Sequence, residues 1–218
     1  LSEATGTATL DSGQARGSFE AELERGRLGV EFFADLAGGV PSYRGKAPLH
    51  LARGTNRREG GPTRESLFAR AQVQGVGFSP DSAEAEVLLV VDSARWRDAS
   101  LDEGRLEVAL SQGVAELDTL VFKSDAGFVS GSGTLPLRAS KRVDGEITIH
   151  AEVTRADLLA DLVGAEFLAV GEATLDATAR GSMEDFSLGS RIRVSALLLD
   201  DLRVPVLDLV VDLHCLLG

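Results

Sequence analysis

The chain has 218 residues, 44% of them hydrophobic and 26% charged, an ordinary globular composition that excludes collagen, coiled coil and low-complexity disorder. Twenty-two Lys and Arg against 34 Asp and Glu leave a net charge of −12. That balance argues against a nucleic-acid partner and against a basic anchor on an anionic membrane surface.

Taken in chain order, the dominant pattern is alternation with a period of two, the mark of strands with one apolar face. Gly6-Thr7-Ala8-Thr9-Leu10 opens it. In Ala15–Glu24, Phe19, Ala21 and Leu23 oppose Arg16, Ser18, Glu20, Glu22 and Glu24. A strand at Leu28–Ala34 follows, then a polar loop at Arg53–Glu65, rich in Gly, Arg and Thr. Leu67–Val73, Ala85–Val91, Leu106–Leu110 and Val129–Leu137 read as further strands. Val143–Val153 is the cleanest: Val143, Ile147, Ile149, Ala151 and Val153 oppose Asp144, Glu146, Thr148, His150 and Glu152.

Leu158, Leu159, Leu162 and Val163 then sit at helical spacing, predicting one two-turn helix over Ala156–Val163. Strands resume at Glu172–Arg180 and Ile192–Leu198. Pro205 marks an edge strand or a bulge ahead of a final strand at Leu207–Leu213. The whole is an all-β chain, expected as a single domain over residues 1–218. Gly131-Ser132-Gly133-Thr134-Leu135 and Gly171-Glu172-Ala173-Thr174-Leu175 echo the opening pentapeptide at irregular spacing, so one kind of strand is reused without a strict repeat. Leu1 in place of Met, and a stop soon after an apolar strand, suggest a piece of a longer chain. No run approaches the about 20 apolar residues of a spanning helix, and no signal peptide is visible.

Residues capable of chemistry are scattered. Cys215 is the one cysteine, so no internal disulfide framework and no multi-cysteine zinc site can form. His50, His150 and His214 fall on polar strand parity without metal-ligand spacing and read as solvated. Ser130 and Ser132 lie among glycines but lack a nucleophile elbow, and Gly131-x-Gly133 lacks the rest of a dinucleotide fingerprint. Asp102-Glu103 and Asp200-Asp201 read as solvated turn acids rather than calcium ligands. Arg53, Arg57, Arg58 and Arg64 form one cationic cluster, read as a solvated loop with headgroup or partner contact as the functional alternative. Trp96 reads as a core cap, or alternatively as a groove-mouth anchor. No enzyme is expected, and no cofactor or metal. With aromatics at 5%, the one-sided face is Leu, Val, Ile and Ala, which suits either a closed sandwich core or the inside of an open trough.

From Ala85 to Leu213 the chain resembles the AsmA-like superfamily, in particular the repetitive β region of TamB-type proteins. The stretch that carries the likeness is Leu101-Asp102-Glu103-Gly104-Arg105-Leu106-Glu107-Val108, then Gly113 and Leu117-Asp118-Thr119-Leu120. It continues through Ser124-Asp125-Ala126-Gly127 and Val129-Ser130-Gly131-Ser132-Gly133-Thr134-Leu135. Arg155-Ala156-Asp157-Leu158-Leu159 and Gly171–Gly181 look like the next unit, and residues 1–74 match more loosely.

The resemblance implies an elongated curved sheet folded as a β-taco around an apolar groove. It further implies a bridge-like lipid-transfer role in the periplasm of double-membraned bacteria, with the full-length protein anchored to the inner membrane. The implied partners are phospholipid or another acyl-chain lipid, and outer-membrane assembly proteins. The groove residues expected on this reading are Phe19, Leu23, Val30, Phe32, Val87, Leu89, Val91, Leu106, Val108, Ile147, Ile149, Leu175, Ile192, Val194, Leu209 and Val211. The alternative is a structural or assembly module for outer-membrane proteins, with a closed β core and no ligand.

Overall fold

The computed structural model describes residues 3–23, 26–53, 65–79, 82–96, 99–138, 145–155, 168–169, 172–182, 185–199 and 202–216. They form fourteen strands and, among the described residues, no helix. These are β1 (Glu3–Asp11), β2 (Gln14–Leu23), β3 (Gly26–Asp35), β4 (Ser42–Arg53), β5 (Glu65–Val76), β6 (Glu84–Trp96) and β7 (Ala99–Ser111). There follow β8 (Val114–Ser124), β9 (Gly127–Pro136), β10 (Gly145–Val153), β11 (Leu168–Ala169), β12 (Glu172–Gly181), β13 (Asp185–Leu199) and β14 (Leu202–Leu216). The expected helix at 156–163 and nearly all of the expected loop at 53–65 lie outside the described residues.

Every pairing is antiparallel, and each strand from β1 to β10 pairs with the next. β12 pairs with β10 and β13, and β14 pairs with β13. The two-residue β11 pairs with the end of β13 beyond β12. The result is one meandering sheet thirteen strands wide. At ~4.8 Å per strand step that width is about 58 Å. The sheet is not closed, because β1 pairs only with β2 and β14 only with β13.

Two of the hairpins are set by their turn residues. Ser12-Gly13 (φ 49° and 81°) and Gln112-Gly113 (φ 53° and 75°) have positive φ at both positions. That is the primed turn whose twist matches the flanking strands.

Directly opposed residues in an antiparallel ladder share a face. Following the pairs across the sheet therefore yields two continuous faces. One carries, strand by strand, Phe19, Val30, Leu49, Val73, Val87, Leu106, Leu120, Val129, Ile149, Leu175, Ile192 and Leu209 with their period-two neighbours. The other carries Arg16, Glu31, Lys46, Gln72, Glu86, Glu107, Thr119, Ser130, His150, Asp176, Arg191 and Asp208.

Bulges preserve this sorting. The register of β5 on β6 shifts at Phe68/Ala69, and that of β7 on β8 at Leu101/Glu103, leaving Asp92 and Asp102 as the extra residues. Each shift resets the parity, so Ala94 and Leu101 stay on the same side as Val91 and Gly104. Asp102-Glu103, expected in a turn, is thus part of β7, where Glu103 accepts a 3.0 Å bond from Lys123. A third shift in β8 places both Asp118 and Thr119 between Leu117 and Leu120. Pro205 stands in the edge strand β14, whose register on β13 runs through it without a bulge.

Packing on the apolar face is lateral. Among the described residues no large side chain is fully buried, and the buried apolar ones are mostly alanines with Val91 and Leu135. Aromatic rings lie across glycines of the neighbouring strand instead of on a second layer. Phe32 covers Gly17, Phe122 covers Gly104 and Tyr43 covers Gly75. A Cβ on Gly104 would stand 2.7 Å from Val91 Cβ and 3.0 Å from Phe122 Cε1. Gly104→Val is therefore expected to lower stability by about 1–3 kcal/mol. Gly39→Ala, where nothing lies within 4 Å of the added carbon, should change it by under about 0.5 kcal/mol. Urea unfolding of the two variants measures the contrast.

Candidate functional site

All sixteen residues expected from the sequence to line a groove fall on one face. Phe19 opposes Val30, Leu23 lies on the same parity of β2, and Phe32 sits two residues from Val30. Val87 opposes Val108, Leu89 opposes Leu106, and Val91 opposes Gly104. Ile147 and Ile149 oppose Ala179 and Ala177, while Leu175 opposes Ile192 and Ala173 opposes Val194. Leu209 opposes Ile192, and Val211 opposes Ser190. The face also includes residues outside the expected groove set, notably Leu49, Val73, Leu120, Val129 and Leu213, of which Leu49 and Leu120 lie on strands that alternate less cleanly.

This face is open. Phe19 is 41% exposed, Phe32 43%, Leu209 44% and Leu213 52%. The accessible surface of the chain is 14511 Å². A compact monomer of the same 23.0 kDa mass would expose about 9,600 Å². A single-layer sheet, with both faces in solvent, contributes to that excess.

The opposite face is dressed with cross-strand ion pairs. Arg70 makes a bidentate contact with Asp92 at 2.7 and 2.9 Å. Arg180 reaches Glu146 at 2.6 Å, Arg191 and Arg193 both reach Asp208 at 3.3 Å, and within β7 Arg105 pairs with Glu107. The Arg105 hydrogen bond holds the Glu107 carboxyl below the usual carboxylate range. All three histidines lie on this polar side: His50 opposes Phe68, and His214 lies 3.3 Å from Asp185. His150 Nδ1 is 2.6 Å from Asp176 and its Nε2 is 3.3 Å from Glu152, so both ring nitrogens face carboxylates.

A hollow of about 1300 Å³ opens over β1–β8, and it lies on this polar side. On β2 to β7 its border is a pair of polar-face residues flanking one apolar-face residue: Arg16 and Ser18 about Gly17, Glu31 and Phe33 about Phe32, Arg44 and Lys46 about Gly45. Gln72 and Gln74 about Val73, Glu86 and Leu88 about Val87, and Glu107 and Ala109 about Val108 continue the pattern. Of the sixteen expected residues only Phe32, Val87 and Val108 border it. A twisted sheet is saddle-shaped and each face is hollow along one diagonal. Alternation in sequence sorts side chains between the faces and leaves the direction of curvature open.

Trp96 ends β6, opposite Glu65 and Ala99. Arg57, Arg58 and Arg64, with Asp200 and Asp201, lie outside the described residues. Among the described residues no helix is long and apolar enough to cross a membrane, which says nothing of strands. No protein-family profile, curated protein or solved structure matches this chain.

The Asp176 hydrogen bond, followed by that of Glu152, raises the pKa of His150 above 6.5. The protonated imidazole is thus favoured in the folded state. Its contribution to stability is complete below the unfolded value and is lost as pH rises through the higher folded value. The stability difference between the wild type and His150→Gln should be greatest below pH 6.5 and shrink on the alkaline side, as read from denaturant midpoints across a pH series.

Proposed function

We propose that this chain is a segment of a bacterial envelope protein whose apolar face binds lipid acyl chains, for phospholipid transport between the inner and outer membranes. The observation that carries the reading is the unbroken apolar face, which has no second layer over it among the described residues and exposes large aliphatic and aromatic side chains. Apolar surface left in water on this scale marks an interaction site. Acyl chains satisfy it readily, since each methylene brought out of water contributes about 0.8 kcal/mol and demands no fixed register. Headgroups would stay at the rim in solvent. The process is passive and requires no nucleophile, metal or cofactor. The resemblance to TamB-type proteins supports a periplasmic setting with the anchor elsewhere in the full-length chain.

A structural or assembly role is favoured by a different observation. Among the described residues β1 and β14 each leave one edge unpaired, and β14 spans Leu202–Leu216. Such an edge can accept a client strand.

Native mass spectrometry of gently purified protein, with extraction of bound lipid, separates the readings. Phospholipid-mass adducts are expected on the wild type. Ile149→Asp places a charge mid-face, where Ile149 opposes Gly131 and Ala177. It should remove most adducts while the circular dichroism of the sheet is retained, and it should block transport in the full-length protein. An adduct-free wild-type mass, or normal transport by the folded variant, would overturn the acyl-chain assignment.

A further inference from the structure

The hollow on the polar side holds a cluster of cations without carboxylate partners. Arg16 on β2, Phe33 on β3 and Arg44 on β4 stand directly opposite one another across three strands. The Arg16 guanidinium lies 5.1 Å from the centre of the Phe33 ring, and that of Arg44 lies 5.0 Å from it. Lys46 follows on the same face of β4, about 7 Å further along the strand.

Elsewhere on this face most cations are neutralised: Arg27, Arg70, Arg105, Lys123, Arg180, Arg191 and Arg193 each reach a carboxylate, while Arg95, alone opposite Ser66, reaches none among the described residues. Among the described residues, Arg16, Arg44 and Lys46 reach none, and the one side-chain hydrogen bond of Arg16 is to the Gln14 amide at 3.2 Å. Arg16, Arg44 and Lys46 are gathered at one end of the concavity with no carboxylate in ion-pair contact, so they repel one another and an anion joining them would relieve it. Glu31, Glu86, Glu107 and Asp118, which also border the hollow, bound the space that anion can take.

The geometry points to an oxyanion site at the β2–β4 end of this hollow, taking a phosphate group through Arg16 and Arg44, with Lys46 at its margin. Attraction to the Phe33 ring holds both guanidiniums near it, which lowers the cost of ordering them for an anion. Gln74 stands next to Arg44 in the same cross-strand row, with its amide donated to Glu86. The carboxylate of Glu31 stands opposite Lys46 and sets the limit of the site on that row. Glu86 is engaged by the Gln74 amide at 2.6 Å and Glu107 by Arg105, so the acids at the far end of the hollow are partly answered. The site is on the opposite face from the acyl-chain surface and does not depend on it.

The test is a titration of the whole chain with pyrophosphate, followed through the arginine side-chain N–H signals by NMR. Saturable shifts at Arg16 and Arg44 are expected, weakening as salt is raised. Arg16→Gln with Arg44→Gln should lower the affinity by about tenfold or more, the loss expected from charge-assisted bonds. The paired-cation control, Arg191→Gln with Arg193→Gln, should leave it within roughly twofold. Nanodiscs of phosphatidylglycerol, with phosphatidylcholine as the reference, distinguish the source. A response to soluble pyrophosphate supports a free phosphorylated ligand, and a response to the anionic disc alone supports a lipid headgroup. No saturable shift with either, or equal weakening in both double variants, would overturn the site.

Discussion

The constraint on which the rest of this molecule depends is the parity of a single hydrogen-bonded ladder. A sheet ordinarily gains its stability by burying one face against another layer. Here the thirteen-strand meander keeps one side almost wholly apolar from β1 to β14 and, among the described residues, has nothing packed on it. Backbone pairing and lateral contact between neighbouring side chains hold the element together. Because one residue of slip would turn a strand's apolar set to the wrong side, every irregularity has to be compensated, and the extra residues at Asp92 and Asp102 are the compensation.

Two local devices make so open a sheet tolerable. On the apolar side, rings fold flat over cross-strand glycines, as Phe32 does on Gly17 and Phe122 on Gly104. Such rings gain contact area without a partner layer and project little from the surface. On the polar side, carboxylates and cations alternate across strands, and the bulge residue Asp92 is itself held by Arg70. Each exposed pair contributes little alone. Their collective effect is to spread solvated charge over one face, which disfavours stacking of two sheets through their polar sides.

The all-β class and most strands were legible from alternation, most clearly in β2, β10, β12 and β13. β4 was not, because Gly45, Lys46 and Pro48 interrupt its pattern. Pro48 fits a central strand because Gly29 faces it: a Cβ there would stand 3.3 Å from Pro48 Cγ. β8 was obscured by Asp118 and Thr119, which share one side of the bulge and break the period. The membership of the apolar face followed from parity alone, since ladder pairing carries parity from strand to strand. The hollow did not follow, because curvature comes from twist and bulges accumulated over many strands. Nor did the Arg16–Phe33–Arg44 row, whose members are far apart in sequence and meet only through the registers of β2 on β3 and β3 on β4.

The two faces impose different requirements on whatever covers them. The polar hollow is a poor path for hydrocarbon: Glu31, Glu86, Glu107 and Asp118 border it, and bringing an acyl chain over them would desolvate carboxylates without offering any partner in return. The apolar face has the opposite difficulty. Its residues range from Gly and Ala to Leu and Phe in no fixed layer pattern, so a rigid protein layer would need matching knobs and holes along about 58 Å of sheet. A fluid chain conforms to such relief segment by segment, gains area in small equal steps, and can move along the face because no single contact dominates. This graded, register-free contact is the physical reason to prefer acyl chains over a folded partner as the cover for that face.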